Sequence, residues 1–189
     1  MCIRDRYNTC DAVVLPSSNE GWGLSLTEGM MCGKPIVATV TGGMQDQMRF
    51  ENEKGEWIDF DENFCSNHFG TYRKHGSWAF PIFPSNMSLV GSVPTPYIWD
   101  DRADFRDIAV QLEEVYDLKM LSPKKYEEVS KEAREWVVSD ESMMSARWMS
   151  KNVIDTVEAT FENWTPRPKH EFIKVEKLPK KKIVHKLTY

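Results

Sequence analysis

Glu20-Gly-Trp-Gly-Leu-Ser-Leu-Thr-Glu28 lies between two apolar runs, Asp11-Ala-Val-Val-Leu-Pro16 before it and Met30-Met-Cys-Gly-Lys-Pro-Ile-Val-Ala-Thr39 after it. The order predicts strand, glycine loop, short helix, strand. Val13-Val14-Leu15 and Ile36-Val37-Ala38 are apolar without alternation, as in parallel strands covered on both faces. Gly33-Lys-Pro35 stops the helix and starts the second strand. Thr41-Gly-Gly43 turns the chain at the carboxyl end of that strand, where open α/β sheets take their ligands. A glycine loop entering a helix lets the main chain approach a ligand and offers orphan N–H groups to phosphate. An ionised carboxylate only accepts, so Glu20 and Glu28 suit the paired donors of a diol.

The whole chain sets the bounds. It has 189 residues, 41% hydrophobic and 28% charged, which describes a folded domain rather than disorder. The net charge of -5 argues against a nucleic-acid platform. No apolar run reaches the roughly 20 residues needed to cross a bilayer. Met1-Cys-Ile-Arg-Asp-Arg6 lacks the apolar stretch of a secretory signal, so the expected compartment is the cytosol. Cys2, Cys10, Cys32 and Cys65 form no CxxC pair and predict no disulfide framework. Cys65 and His68 have a ligand-like spacing without a second pair, and no metal site is expected. Cys32 is expected in the core.

Residues 1–6 read as a non-native-looking leader. Tyr7-Asn-Thr-Cys10 reads as the tail of a helix, and a parallel unit does not begin halfway. The expectation is a domain over 7–165, truncated at its N-terminus. Residues 44–50 are expected as a short helix. Residues 51–94 scatter aromatics among Gly, Pro, Ser and Asn and predict a loop-rich insertion. Tyr97-Ile-Trp99 predicts a last short strand. Asp104 to Leu118 predicts a helix with Phe105, Ile108, Ala109, Leu112, Val115 and Tyr116 on one face. Ser122-Pro123 caps a second, burying Tyr126, Val129, Ala133, Trp136 and Val137. Ser139 or Asp140 is expected to cap a third, with a stripe of Ala146, Met149, Val153, Val157, Phe161 and Trp164 expected as core; the alternative is that Trp148, Met149 and Trp164 expose apolar surface for a missing domain to cover. The remainder, 166–189, with Lys180-Lys-Lys182, is expected to be a flexible basic tail; contact with acidic lipid is the less favoured alternative.

Asp11-Ala-Val-Val-Leu-Pro-Ser17, Glu20 to Glu28, Gly33-Lys-Pro-Ile-Val-Ala38 and Gly42-Gly43 together resemble the donor-binding half of GT-B-fold retaining glycosyltransferases of family 4 (glycosyl transferases group 1), with their E-x7-E motif. Trp22 replaces the usual Phe, and Gly29 stands where Ala is common. The resemblance implies an α/β fold: a partial Rossmann-like parallel sheet, the GT-B donor-domain half, followed by C-terminal helices. It implies a nucleotide diphosphate sugar as donor, such as a UDP- or GDP-hexose, and transfer of the hexose to an acceptor hydroxyl without a metal or other cofactor. Glu20 is implied as the catalytic carboxylate facing the sugar. Gly21, Trp22, Gly23, Leu24 and Ser25 are implied to meet sugar and diphosphate, and Glu28 the ribose. The acceptor, a glycan, lipid or small molecule, is implied to belong to an N-terminal domain absent here, and the Arg and Lys that help the leaving group are implied to lie upstream in the donor domain itself, where this sequence has no matching position. This polypeptide alone is therefore expected to be inactive or nearly so.

Blander alternatives exist for each residue: Glu28 serving the helix dipole, Gly21 and Gly23 as turn glycines, Glu20 as a solvated side chain. Two other classes stay open: a non-catalytic nucleotide-sugar-binding or interaction module, and a GT-B-fold sugar-nucleotide epimerase. Asp59-Phe-Asp61 matches a D-x-D pattern, and Asp59 to Asn63 begins like an EF-hand loop, but Phe64 stands where glycine is required. An exposed acidic turn is expected there. Asp100-Asp101-Arg102 is expected as a local ion-pair cluster beyond a strand.

Overall fold

The computed structural model describes residues 2–166. The chain divides into two compact units, the first ending at Asn152 and the second beginning at Val153. In chain order the elements are α1 (Ile3–Asn8), β1 (Val13–Leu15), α2 (Leu24–Met31), β2 (Ile36–Thr39), a 3-10 turn (Gly42–Met44), β3 (Ala79–Ile82), β4 (Asn86–Ser92), β5 (Thr95–Arg102), α3 (Phe105–Leu121), α4 (Pro123–Val138) and α5 (Ala146–Asn163). β1, β2 and β3 form one parallel sheet in that order, with Val13 opposite Ile36 and Ala38 opposite Pro81. The α/β parallel-sheet expectation holds.

β2 is buried throughout because helices cover both faces of the sheet. Ile36 and Ala38 face a core shared with Leu26 and Met30 of α2 and Val129, Ala133 and Trp136 of α4. Val37 faces the opposite way, onto Ile82 of β3 and Val115 of α3. α2 lies tight against β1: a methyl on Gly29 would run into the Val13 side chain, which explains glycine rather than alanine there. It ends where Gly33, at φ 68°, donates to Met30 O and Lys34 N donates to Gly29 O, the paired bonds of a left-handed cap.

Several expectations need correction. β3 and β4 lie inside the stretch read as loop-rich. Pro81 hid β3, since proline argues against a strand interior; β3 is an edge strand, where a missing N–H is tolerated. Asn, Ser and Gly diluted the signal of β4. β5 does extend over Tyr97–Trp99, but it pairs antiparallel with β4, in a hairpin apart from the parallel sheet. Residues 44–50 hold the end of the 3-10 turn and further turns rather than an α-helix. Cys32 is the half-buried cap of α2, not a core residue.

α4 buries the five residues expected of it. α3 begins after Asp104, whose carboxylate accepts from Arg106 N. Of its expected apolar face only Val115 is buried, and Phe105 and Tyr116 stand in solvent. α5 starts later than expected, after Ser145, whose hydroxyl accepts from Trp148 N at 3.1 Å. Ser139 serves the end of α4 instead, donating to Trp136 O. The stripe on α5 is exposed, not core. Periodicity reports a face suited to a partner and says nothing of whether one is present. The expected tail, apart from Pro166, lies outside the described residues.

Candidate functional site

Two glycine loops meet at the carboxyl ends of β1 and β2. A Cβ added to Gly42 would strike Glu20 O, and one added to Gly43 would strike Gly21 O and lie 2.9 Å from the Trp22 ring. The main chain of Glu20–Trp22 is therefore seated directly on that of Gly42–Gly43. Gly42 also has φ 48°, a conformation that favours glycine. Gly23 caps α2 at φ 79°, wedged between Leu15 and Met44. Gly21 differs: a Cβ there would meet nothing within 4 Å, so its face is open. Leu24 and Ser25 begin α2, and the first amides of a helix have no intrahelical acceptor.

Below this corner lies a buried polar network. The Trp22 indole donates to Thr27 Oγ1 at 3.0 Å, and Thr27 donates to Gln47 Oε1 at 2.8 Å. Gln47 Nε2 donates back to Trp22 O at 2.5 Å. The Trp78 indole closes the floor by donating to Gln47 O at 3.0 Å. No motif marked Thr27 or Gln47; a glutamine in a turn carries no sign of burial.

The two expected carboxylates stand in separate surroundings. Glu28 lies in the second turn of α2, not the first, so it is not the dipole partner that a first-turn acid would be. Its Oε2 accepts from Tyr7 Oη at 2.8 Å. Burial, the bond to Glu28 and that carboxylate's charge push the Tyr7 phenol up to about 12. Ile3, Arg6 and Cys10 complete a small cleft around this pair. Glu20 is half-buried and does not line that cleft, and no hydrogen bond of its carboxylate is present among the described residues. The acids thus lie at different ends of the loop.

The β4–β5 hairpin reaches the loop after β1. Arg102 donates to Ser18 Oγ at 3.1 Å and to Ser88 Oγ at 2.6 Å. Asp101 N donates to Ser18 O, and Asn19 Nδ2 donates to Asp100 Oδ1 at 3.2 Å. The cluster expected as local ion pairs is instead the hairpin's attachment to the site.

On the other side of Trp22 a cleft of about 620 Å³ is lined by Gln45, Asp46, Arg49, Asp59 and Trp136, among others. Arg49, at φ 54°, places its guanidinium 3.5 Å from the Trp57 ring centre and 4.8 Å from that of Trp136. Burial lowers its pKa against the opposing pull of Asp59 and Glu141, and it remains a cation. Asp61 accepts from Asn63 N and Phe64 N, which holds its carboxyl below the usual range in an exposed acidic turn, as expected. His68 Nδ1 lies 2.7 Å from Ser66 Oγ, while Cys65 is an exposed thiol. No helix among the described residues is long and apolar enough to cross a membrane.

Two glycine loops packed together at the carboxyl edge of a parallel sheet stand where open α/β sheets take their ligands. Residues 2–63 match the family described as glycosyl transferases group 1. A glycosyltransferase of Methanocaldococcus jannaschii, described as uncharacterized, is 29% identical over 118 residues, covering 62% of this chain and 28% of the relative. A D-inositol 3-phosphate glycosyltransferase of Thermomonospora curvata is 42% identical over 57 residues, 30% of this chain and 13% of the relative. One of Corynebacterium jeikeium is 50% identical over 38 residues, 20% and 9%. The matched stretches thus span at most 28% of these relatives.

Proposed function

We propose that this corner is the donor site of a retaining glycosyltransferase. Its donor would be a nucleotide diphosphate hexose, such as a UDP- or GDP-hexose, and its acceptor a hydroxyl of a glycan, lipid or small molecule. The observation that carries this is the seating of Glu20–Trp22 on Gly42–Gly43, with α2 opening from the same loop.

In this assignment the amides of Gly21 to Ser25 take the diphosphate, helped by the positive end of α2. Glu20 takes hydroxyls of the hexose. Glu28 takes the ribose diol: Tyr7 occupies one site on Oε2, and the remaining lone pairs accept from the two hydroxyls. Ribose and hexose are the two ends of the donor, so the acids need not share one cleft. The bond from the anomeric carbon to the diphosphate oxygen breaks with its electron pair leaving on phosphate. A bond to the acceptor oxygen forms, and the proton of that oxygen passes to the departing diphosphate oxygen. Negative charge collects on the diphosphate, where fixed amides stabilise it without reorganising. No metal is needed for that step. Turnover is assigned to the whole protein, with the acceptor held outside this chain.

Calorimetric titration with UDP-sugar and GDP-sugar donors tests the assignment. One of them is expected to bind, with affinity falling about tenfold or more in Glu28→Ala. A folded chain that binds neither donor contradicts it.

A further inference from the structure

Gln47 has no part in the family motif, yet it is completely buried. A primary amide in that position is costly unless its polar atoms are met. They are met, and chiefly by the glycine loop. The indole of Trp22 is a donor only, so Thr27 Oγ1 must accept from it and donate its own O–H to Gln47 Oε1. That fixes Gln47 Oε1 toward Thr27 and leaves the NH₂ group facing the carbonyl of Trp22, with Gly23 O 3.5 Å away. The ring closes on the residue where it began.

The consequence follows from the planarity of the peptide bond. A trans peptide points its C=O and N–H in opposite directions. Drawing the carbonyls of Trp22 and Gly23 inward turns the amides of Gly23 and Leu24 away from Gln47, outward from the corner. We infer that Gln47, oriented by Thr27, is a positioning residue for the diphosphate: it holds the Trp22–Leu24 peptides in the orientation that presents their N–H groups to the ligand. This rests on the donor-site assignment above and adds to it a residue outside the motif that touches it directly and acts through the main chain.

The test uses the full 189-residue chain and the variant Gln47→Glu, which keeps the acceptor for Thr27 but replaces the donor facing Trp22 O with an oxygen. Should it fail to fold, Gln47→Met and Thr27→Val carry the same test. One arm needs no ligand. The ¹H–¹⁵N heteronuclear NOE of Gly23 and Leu24 is expected to fall in the variant, while those of Ile36–Thr39 in β2 stay unchanged. The other arm titrates UDP and GDP against uridine and guanosine. The variant is expected to lose about tenfold in diphosphate affinity while nucleoside affinity stays within about twofold. Equal losses for diphosphate and nucleoside would mark Gln47 as merely structural and overturn the inference, as would an unchanged NOE in a folded variant. If the wild-type chain binds neither diphosphate, the donor-site assignment fails and the ligand part of the inference with it; the NOE arm then decides separately whether Gln47 orders the loop.

Discussion

The glycine corner and the β4–β5 hairpin touch the same loop after β1, yet they are held in opposite ways. In the corner, main chain packs on main chain, and Leu26, Met44 and Gln47 beneath it are all 0% exposed. In the hairpin, Leu89, Tyr97 and Trp99 stand 53%, 62% and 65% exposed, and the attachment is a few polar contacts at its base. At Gly42 and Gly43 the first region has no room for one methyl group; the second has little packing to lose. Local rigidity here comes from backbone fit and buried polar closure, not from the size of the side chains involved.

The largest effect expected from this contrast is that of Gly43→Ala. Its methyl would meet backbone atoms of Gly21, which cannot swing aside. A loss of about 3 kcal/mol in chemical denaturation is expected. A near-neutral result would show that the two loops are not in contact. A smaller effect comes from the Tyr7–Glu28 pair, which ties α1 to α2. The folded-state pKa of Tyr7 is raised above its usual 10.0 to about 12, so its contribution to stability is full below pH 10 and is lost as pH climbs toward 12. Ultraviolet titration should show one phenol ionising near pH 12, and Glu28→Gln should bring it down. A chain whose phenols all titrate near pH 10 would contradict the pairing. The smallest effect belongs to the hairpin: Trp99→Ala should change stability by no more than about 0.5 kcal/mol despite removing an indole. A larger loss would mean that the hairpin packs against something in solution.

The sequence was most legible where the constraint is local. Gly33, Gly42 and Gly43 announce turns, and Ser122-Pro123 announces α4, because each acts within a few residues of itself. The stripe of α4 was read correctly because the core it faces, through Ile36 and Leu26, is complete within the same unit. The same periodicity overstated the burial of α3, where Val115 is buried but Phe105 and Tyr116 stand in solvent, and on α5 it marked a stripe that is exposed. β3 was missed because Pro81 is forbidden only in a strand with neighbours on both sides, and edge position is a property of the sheet, not of the segment. Within the candidate site, the glycine loop and the two acids were visible in the motif. The roles of Tyr7, Thr27, Gln47 and Arg102 were not, although Thr27 lies within the motif, because the partners that define them, Glu28, Gln47 and Ser18, are 21, 20 and 84 residues away along the chain.

The central claim is that the open face at Gly21 and the start of α2 meets the diphosphate of an activated sugar. Gly21→Ala tests it most directly, because the added methyl would meet nothing in the protein and should leave stability within about 0.5 kcal/mol. The measurement is the dissociation constant of whichever nucleoside diphosphate, UDP or GDP, binds the wild-type chain. A thermally unchanged variant that binds that diphosphate about tenfold more weakly is expected. A variant equally stable and equally tight would place the ligand elsewhere and contradict it.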